Sequence, residues 1–383
     1  MNDMSKKHIF WYCEKWQVGG IQTVQVSLLK HFPRDSFDFD IVVSEDDTSI
    51  YDDDIKACGA RKIVTLSRKY KSPAMRIIAN MFAMRKLLRT VDYDAAHFNV
   101  CHGVELSYVF LAKLAGIPKR IVHCRNNDIG AGGKSRPIKL LAHRICKRLF
   151  AGSANVKLAN SNLAAEWLFT EKDIKKDKVS VISNGIEMER YHFNEGARDE
   201  LRDRLGLQNT TVIGHIGHFS YQKNHEFLLE IFKSYNKLDP EAMLVLIGEG
   251  EGERTVRDLA ETLGILDKVL FVGVTKNIPS YLWAMDVFVF PSRFEGFGNV
   301  LIEAQAAGLE CFASKDVIPE AVKITEALHW IPLSDSAEQW AQQIASRKER
   351  NDRSAMYQEA AASQYSIERM TEEIADIYLD HER

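Results

Sequence analysis

Val287-Phe-Val-Phe290, Pro291-Ser-Arg-Phe-Glu-Gly-Phe-Gly-Asn-Val-Leu-Ile-Glu303 and onward to Ala307 is the stretch from which the rest of the chain is ordered. Four apolar residues in a row read as a strand. A proline and a turn holding Gly296 and Gly298 follow, and Val300 to Ala307 are good helix formers. The expectation is strand, tight turn, helix, with Asn299 as N-cap. Glu295 then sits in the turn and Glu303 about one turn into the helix.

Most acids simply face water. Here the pair brackets a glycine turn at a helix start, where backbone N–H groups attract phosphate and a ligand can approach the main chain. Carboxylates beside an anion site make sense if they accept from neutral hydroxyls of the same ligand. A nucleotide sugar offers that combination, with a diphosphate between ribose and hexose.

Outward from this stretch the same alternation recurs. In the second half, strand patterns at 212–216, 243–247, 269–272, 287–290 and 310–313 have helices between them. The first half shows strand patterns at 8–12, 39–43, 62–66, 95–98 and 120–124, and helical patterns near 21–30, 74–90, 103–116, 137–151 and 161–169. Strands alternating with helices imply parallel, doubly wound sheets. A chain of 383 residues exceeds one comfortable core. The expected division is 1–188, 189–360 and a C-terminal helix at 361–383 packing back toward the N-terminal domain. In such folds ligands bind outside the carboxyl ends of the strands, and the crevice is expected between the halves.

Composition is that of an ordinary globular protein, with no apolar run near the ~20 residues that span a bilayer. Six scattered cysteines form no Cys-x-x-Cys pair, which fits reduced thiols and a cytoplasmic location. The net charge of −3 hides an asymmetry: residues 1–185 hold 30 Lys and Arg against 19 acids, the remainder 20 against 34. The basic half is expected to meet an anionic partner.

The Glu295-x7-Glu303 pattern in this context resembles the retaining glycosyltransferases of family 4, including bacterial exopolysaccharide and capsule enzymes. The resemblance spans essentially the whole chain. Gly19-Gly20 resembles the family's N-terminal glycine loop, and 114–126 its "AKLAG-P-R--H-HN" segment. Ile182-Ser-Asn-Gly-Ile186 resembles the crossover, Gly217 to Lys223 the "GR---QK" loop, and Gly248-Glu-Gly250 the "GxG" turn. The implied fold is α/β, GT-B: two Rossmann-like doubly wound domains facing across a cleft, the first binding acceptor and the second the donor.

The resemblance also implies roles. Lys223 neutralises the donor diphosphate, Glu303 accepts from ribose hydroxyls, and Glu295 accepts from those of the transferred sugar. Backbone at Gly296, Phe297, Gly298 and Asn299 is nearby, Gly248 lies close to the donor, and Ile278 adjoins the nucleobase. His123 lines the reaction centre. Two departures stand out. His218 replaces the arginine of the "GR" loop, removing one fixed cation, and Gly298 replaces a proline.

No Asp-x-Asp pair is placed to hold a metal; Asp38-Phe-Asp40 and Asp92-Tyr-Asp94 fall near strand starts. The expected chemistry needs no metal or cofactor, only the UDP-linked donor. A hexose or N-acetylhexosamine would pass with retention to a glycan or lipid-linked acceptor. Two acid-free basic tracts, 68–89 and 134–150, supply much of the first half's charge. In the latter, Ile138, Leu141, Ile145 and Leu149 recur at helical spacing, which fits either a helix packed on the sheet or contact with an anionic membrane. Sparse aromatic residues in both tracts argue against nucleic acid. The competing readings are a nucleotide-sugar epimerase or phosphorylase on the same fold, and a non-catalytic partner protein that retains it.

Overall fold

The computed structural model describes residues 6–16, 19–45, 49–66, 70, 72–129, 135–347 and 352–379. The chain divides into two units: Met1–Gly185 with Ile367–Arg383, and Ile186–Ser366. The first crossing falls three residues before the expected 188/189 boundary. The second falls at Ser366/Ile367 rather than at 361, because the helix Arg353–Ala361 and Tyr365 belong to the core of the second unit.

The N-terminal unit is built on seven parallel strands: Lys7–Tyr12 (β1), Phe37–Val43 (β2), Arg61–Val64 (β3), Ala95–Val100 (β4), Lys119–Cys124 (β5), Val156–Ala159 (β6) and Ser180–Val181 (β7). Their order is β3-β2-β1-β4-β5-β6-β7, so the winding reverses between β1 and β4. Side chains alternate between the faces. Ile9 and Trp11 join one core cluster with the helices Gly20–His31 and Ile367–Leu379. Phe10 and Tyr12 join the opposite cluster with Pro73–Thr90 and Leu106–Leu114. The C-terminal helix is tied in by Ile374 and Tyr378 in the core, and by Lys119 Nζ donating to the Ile377 carbonyl.

Of the two Asp-x-Asp pairs, Asp40 and Asp94 close ion pairs. Asp40, 2% exposed, receives Arg61 Nε at 2.8 Å and the Tyr93 hydroxyl at 2.7 Å. Asp94 accepts from the His8 N–H and Lys7.

The second unit has six parallel strands: Val212–Ile216 (β8), Met243–Ile247 (β9), Val269–Gly273 (β10), Val287–Phe290 (β11), Glu310–Ser314 (β12) and Leu328–Ile331 (β13). Their order is β10-β9-β8-β11-β12-β13, with the reversal between β8 and β11. Both faces are covered, one cluster including Phe288 and Phe290 and the other Val287 and Val289. At a reversal the chain leaves adjacent strands in opposite directions, opening a crevice above their carboxyl ends. The loops following β8 and β11 therefore border that crevice in the second unit.

Candidate active site

The loop after β8 runs from Gly217 through a 3-10 turn at Tyr221–Lys223 to Asn224, whose left-handed backbone starts the helix His225–Asn236. The loop after β11 runs from Pro291 to Gly298. The two are stitched together. Arg293 N–H donates to the Gln222 carbonyl at 2.8 Å, and Asn224 Nδ2 to the Pro291 carbonyl at 3.0 Å. Arg293 also lies over the Tyr221 ring and donates to its carbonyl.

Lys223 and Glu295 face one another across this seam. Lys223 Nζ lies 2.6 Å from Glu295 Oε1 and 4.5 Å from the centroid of the Phe290 ring. Gln222 Nε2 donates to the other carboxylate oxygen at 3.1 Å. Glu295 is only 5% exposed, so the ion pair is charge-assisted and largely desolvated.

Glycine is required here for space. A Cβ on Gly217 would lie 3.0 Å from the Lys223 Cγ and from His215 Nε2, so side-chain bulk would displace the lysine stem. Gly248, with φ +144°, holds its α-carbon against the Gly217 carbonyl; a Cβ would meet that oxygen at 2.2 Å. Further backbone bonds, Gly217 N–H to Ile247 and Phe219 N–H to Glu249, bind the β8 and β9 loops into one rim. His218, standing in the arginine position, lies in the same rim.

The turn before Glu303 departs from expectation. The helix is Asn299–Ala306, and its N-cap is Gly298 at φ +98°, ψ +46°, not Asn299. The chain must pass through left-handed backbone to enter the helix, which glycine adopts at little cost. Phe297 turns its ring into the core against Tyr365, anchoring the turn from below, and Gly296 lies in the buried backbone between.

Glu303 is 8% exposed, and its partners come from a short 3-10 segment, Met188–Tyr191. Burial pushes its carboxyl up to about 7, opposed by the Tyr191 hydroxyl bonded to it and by the Arg190 charge. Glu295 and Glu303 are therefore held by different groups, one by a cation and one by a phenol. Ile278 opens the helix Ile278–Ala284 and packs partly on the core.

In the N-terminal unit, His123 lies at the carboxyl end of β5 and is fully buried. Its ring stacks on His97 at 5.4 Å with an interplanar angle of 6°, and His123 Nδ1 lies 3.3 Å from His97 Nε2. His97 Nδ1 meets the Tyr378 hydroxyl at 2.6 Å. Burial, then the Arg125 charge, holds both imidazoles well below their usual pKa. Arg125 is itself pushed down to about 10 by burial and is clamped by Asn99 at 2.8 Å and Asn184 at 2.6 Å. Gly19 caps the first helix in extended backbone, followed by Gly20; a Cβ on Gly19 would meet only the flexible Gln22 amide, so no strain demands glycine there.

Sequence reasoning gave no role to Gln222 and Arg125, though both lie in the quoted motifs, and missed Tyr191 and Tyr378. Gln222 was legible as the neighbour of Lys223. Tyr378 lies 255 residues from His123 and carried no local signal. Among the described residues, no group of three or more His, Cys, Asp or Glu side chains could hold a metal ion. No helix among them is long and apolar enough to cross a membrane.

Tandem Rossmann-like units, the second with a cation–carboxylate pair at its strand-order reversal, define the GT-B class of glycosyltransferases. Residues 18–190 match the family described as Glycosyltransferase Family 4, and residues 197–364 that described as Glycosyl transferases group 1. The chain belongs to this family and is a glycosyltransferase. It is 28% identical over 345 residues to EpsF of Bacillus subtilis (strain 168), which carries a glycosyltransferase name, across 89% of this chain and 88% of EpsF. It is also 28% identical over 307 residues to the Escherichia coli UDP-Gal:alpha-D-GlcNAc-diphosphoundecaprenol alpha-1,3-galactosyltransferase, across 78% and 76% of the two chains. Among solved structures, Anabaena Alr3699/HepE in complex with UDP and glucose superposes with a TM-score of 0.77 at 19% identity, covering 96% of this chain and 98% of that one. At that identity the likeness speaks for the fold alone.

Proposed function

We propose that this chain is a retaining, metal-independent glycosyltransferase. It would move a hexose or N-acetylhexosamine from a UDP-linked donor to a glycan or lipid-linked acceptor in polysaccharide biosynthesis. The observation that carries the reading is the buried Lys223–Glu295 pair on the two loops that border the strand-order reversal. A cation and a hydroxyl acceptor 2.6 Å apart suit a ligand whose diphosphate adjoins a sugar. The name of the Escherichia coli relative, which contains UDP, favours uridine as the base.

In this reading the donor diphosphate takes over the Lys223 ammonium, and the N-terminus of the helix Asn299–Ala306 faces the same charge. Glu295, released from Lys223 but still held by Gln222, accepts from hydroxyls of the transferred sugar. Glu303 accepts from the ribose in its ionised form, and Ile278 adjoins the base. As the bond to the anomeric carbon breaks, the leaving phosphate takes the acceptor proton on the same face, which retains configuration. His123, neutral at pH 7, serves as a hydrogen-bonding group on the acceptor side rather than as a cation. A lipid-linked acceptor would place the protein on the cytoplasmic face of a membrane as a peripheral protein.

The test is a thermal-shift screen of nucleoside diphosphates and their sugars against wild type and Lys223→Ala, alongside nucleotide release with and without a chelator. One nucleotide series should stabilise the wild type and not the variant, and release should survive chelation. Equal shifts in both proteins would remove the diphosphate contact, and chelator-sensitive release would remove metal independence.

A further inference from the structure

The helix Arg136–Phe150 is mounted inside out. A surface helix ordinarily buries its apolar stripe and wets its polar one. Here the buried residue is His143, whose Nδ1 accepts from the Gly103 N–H at 2.9 Å and whose ring stacks on Trp167 at 4.0 Å. Lys147, on the same side, donates to the carbonyls of Glu166 and Trp167. Four apolar residues point the other way: Ile138 is 73% exposed and Leu149 71%, with Leu141 and Ile145 also in water, while Phe150 packs on the core. At ~100° per residue these four fall within an arc of about 80°, and exposed Lys139, Arg144 and Arg148 flank it.

A second helix, which buries Met84 and Leu88 in the core, also exposes a line of apolar residues. In Pro73–Thr90, Met75, Ile78 and Phe82 are exposed, the last at 72%, and the same line continues into exposed Arg85, Lys86 and Arg89. The helix Leu106–Leu114 packs against both and ends in an exposed leucine, so the three form one layer over the sheet. Neither of the two stripe-bearing helices contains an acid. Arg68, Lys69, Lys71 and Lys134 of the basic tracts lie outside the described residues.

We propose that this helical layer docks on the surface of an anionic lipid bilayer, the exposed apolar side chains entering the boundary between headgroups and acyl chains and the flanking cations meeting lipid phosphates. The proposal rests on the lipid-linked class of acceptor and names the face that brings the enzyme to it. Apolar stripes rimmed by cations match such a boundary in both polarity and charge. A second copy of the same face would set like charges against each other, so self-association does not fit.

The full chain should be pelleted with vesicles of phosphatidylcholine alone and with vesicles containing about one third phosphatidylglycerol. Binding should favour the anionic vesicles and weaken with salt. Leu141→Glu with Leu149→Glu should lower the partition about ten-fold or more, while melting temperature, nucleotide-induced shift and transfer to a water-soluble acceptor stay as in wild type. Leu238→Glu, 56% exposed in the other unit, should bind as wild type does. No preference for anionic vesicles, or a double variant that binds like wild type, overturns the proposal, as does a variant whose only effect is to dissociate a dimer. Because pelleting needs no donor, failure of the docking face is separable from failure of the donor reading.

Discussion

Lys223 and Glu295 hold each other in the absence of donor, so stability and donor binding should come apart when the pair is dissected. At 2.6 Å and an effective dielectric constant of ~20, their attraction is about 6 kcal/mol before desolvation is subtracted. Removing one partner of a buried pair costs about 3–5 kcal/mol, since the other is left charged and unpaired. The Lys223 side chain keeps 17% exposure and Glu295 keeps Gln222 as a donor. Lys223→Met should therefore fall near the lower end, about 2–3 kcal/mol, or roughly 6 °C in melting temperature for a unit of this size. Glu295→Gln should cost a similar amount. The double variant should recover about 2 kcal/mol of the summed loss, because no charge is then stranded. Stability, read by denaturant and thermal unfolding, is thus about the same in the double variant as in either single one, while the nucleotide-induced thermal shift remains absent in every variant lacking Lys223. Single variants within ~0.5 kcal/mol of wild type would show that water screens the pair. A double variant with the wild-type nucleotide shift would refute the proposed use of Lys223.

If Glu303 holds the ribose as proposed, nucleotide affinity should rise as pH increases through about 7, because ribose hydroxyls need its ionised form; Glu303→Gln should flatten that profile in a titration from pH 6 to 8. The same raised carboxyl stabilises the unliganded fold below its unfolded value, a contribution lost as pH rises through about 7. His215 acts in the opposite sense. Burial lowers its pKa to about 3, so on acidification the unfolded chain takes up a proton that the native state refuses. Its effect at pH 5 is about 2 kcal/mol of lost stability, and His215→Gln should reduce the fall in unfolding free energy between pH 7 and pH 5 by about that amount; an unchanged fall would contradict it. Gly248→Ala should cost several kcal/mol, since both its positive φ and the Gly217 carbonyl forbid a Cβ, and thermal unfolding would expose a mild effect as an error.

Legibility in the sequence followed burial and length. Val287–Phe290 and Met243–Ile247 are found where they were expected, because central parallel strands must be apolar on both faces. Val156–Ala159 and Leu328–Ile331 escaped notice. Each is four residues long, and Lys157 and His329 interrupt the apolar run. The motifs of the loops after β8 and β11 were visible as spacing between glycines and acids. What the spacing could not supply was the Gly298 cap, since cap geometry depends on the backbone angle that joins turn to helix.

The chain alone determined two doubly wound sheets, their approximate division and the glycine turns that carry Glu295, Lys223 and Glu303, because strand and helix periodicities and turn chemistry are local. Tertiary structure decided the rest. It set Lys223 against Glu295, gave Glu303 its phenol and arginine neighbours, and stacked His123 on His97, which Tyr378 from the far end of the chain holds. It also turned the apolar stripe of Arg136–Phe150 outward. Hydrophobic periodicity says that a helix has two faces, but which one meets the protein depends on partners such as Gly103 and Trp167, brought in by the winding of the sheet.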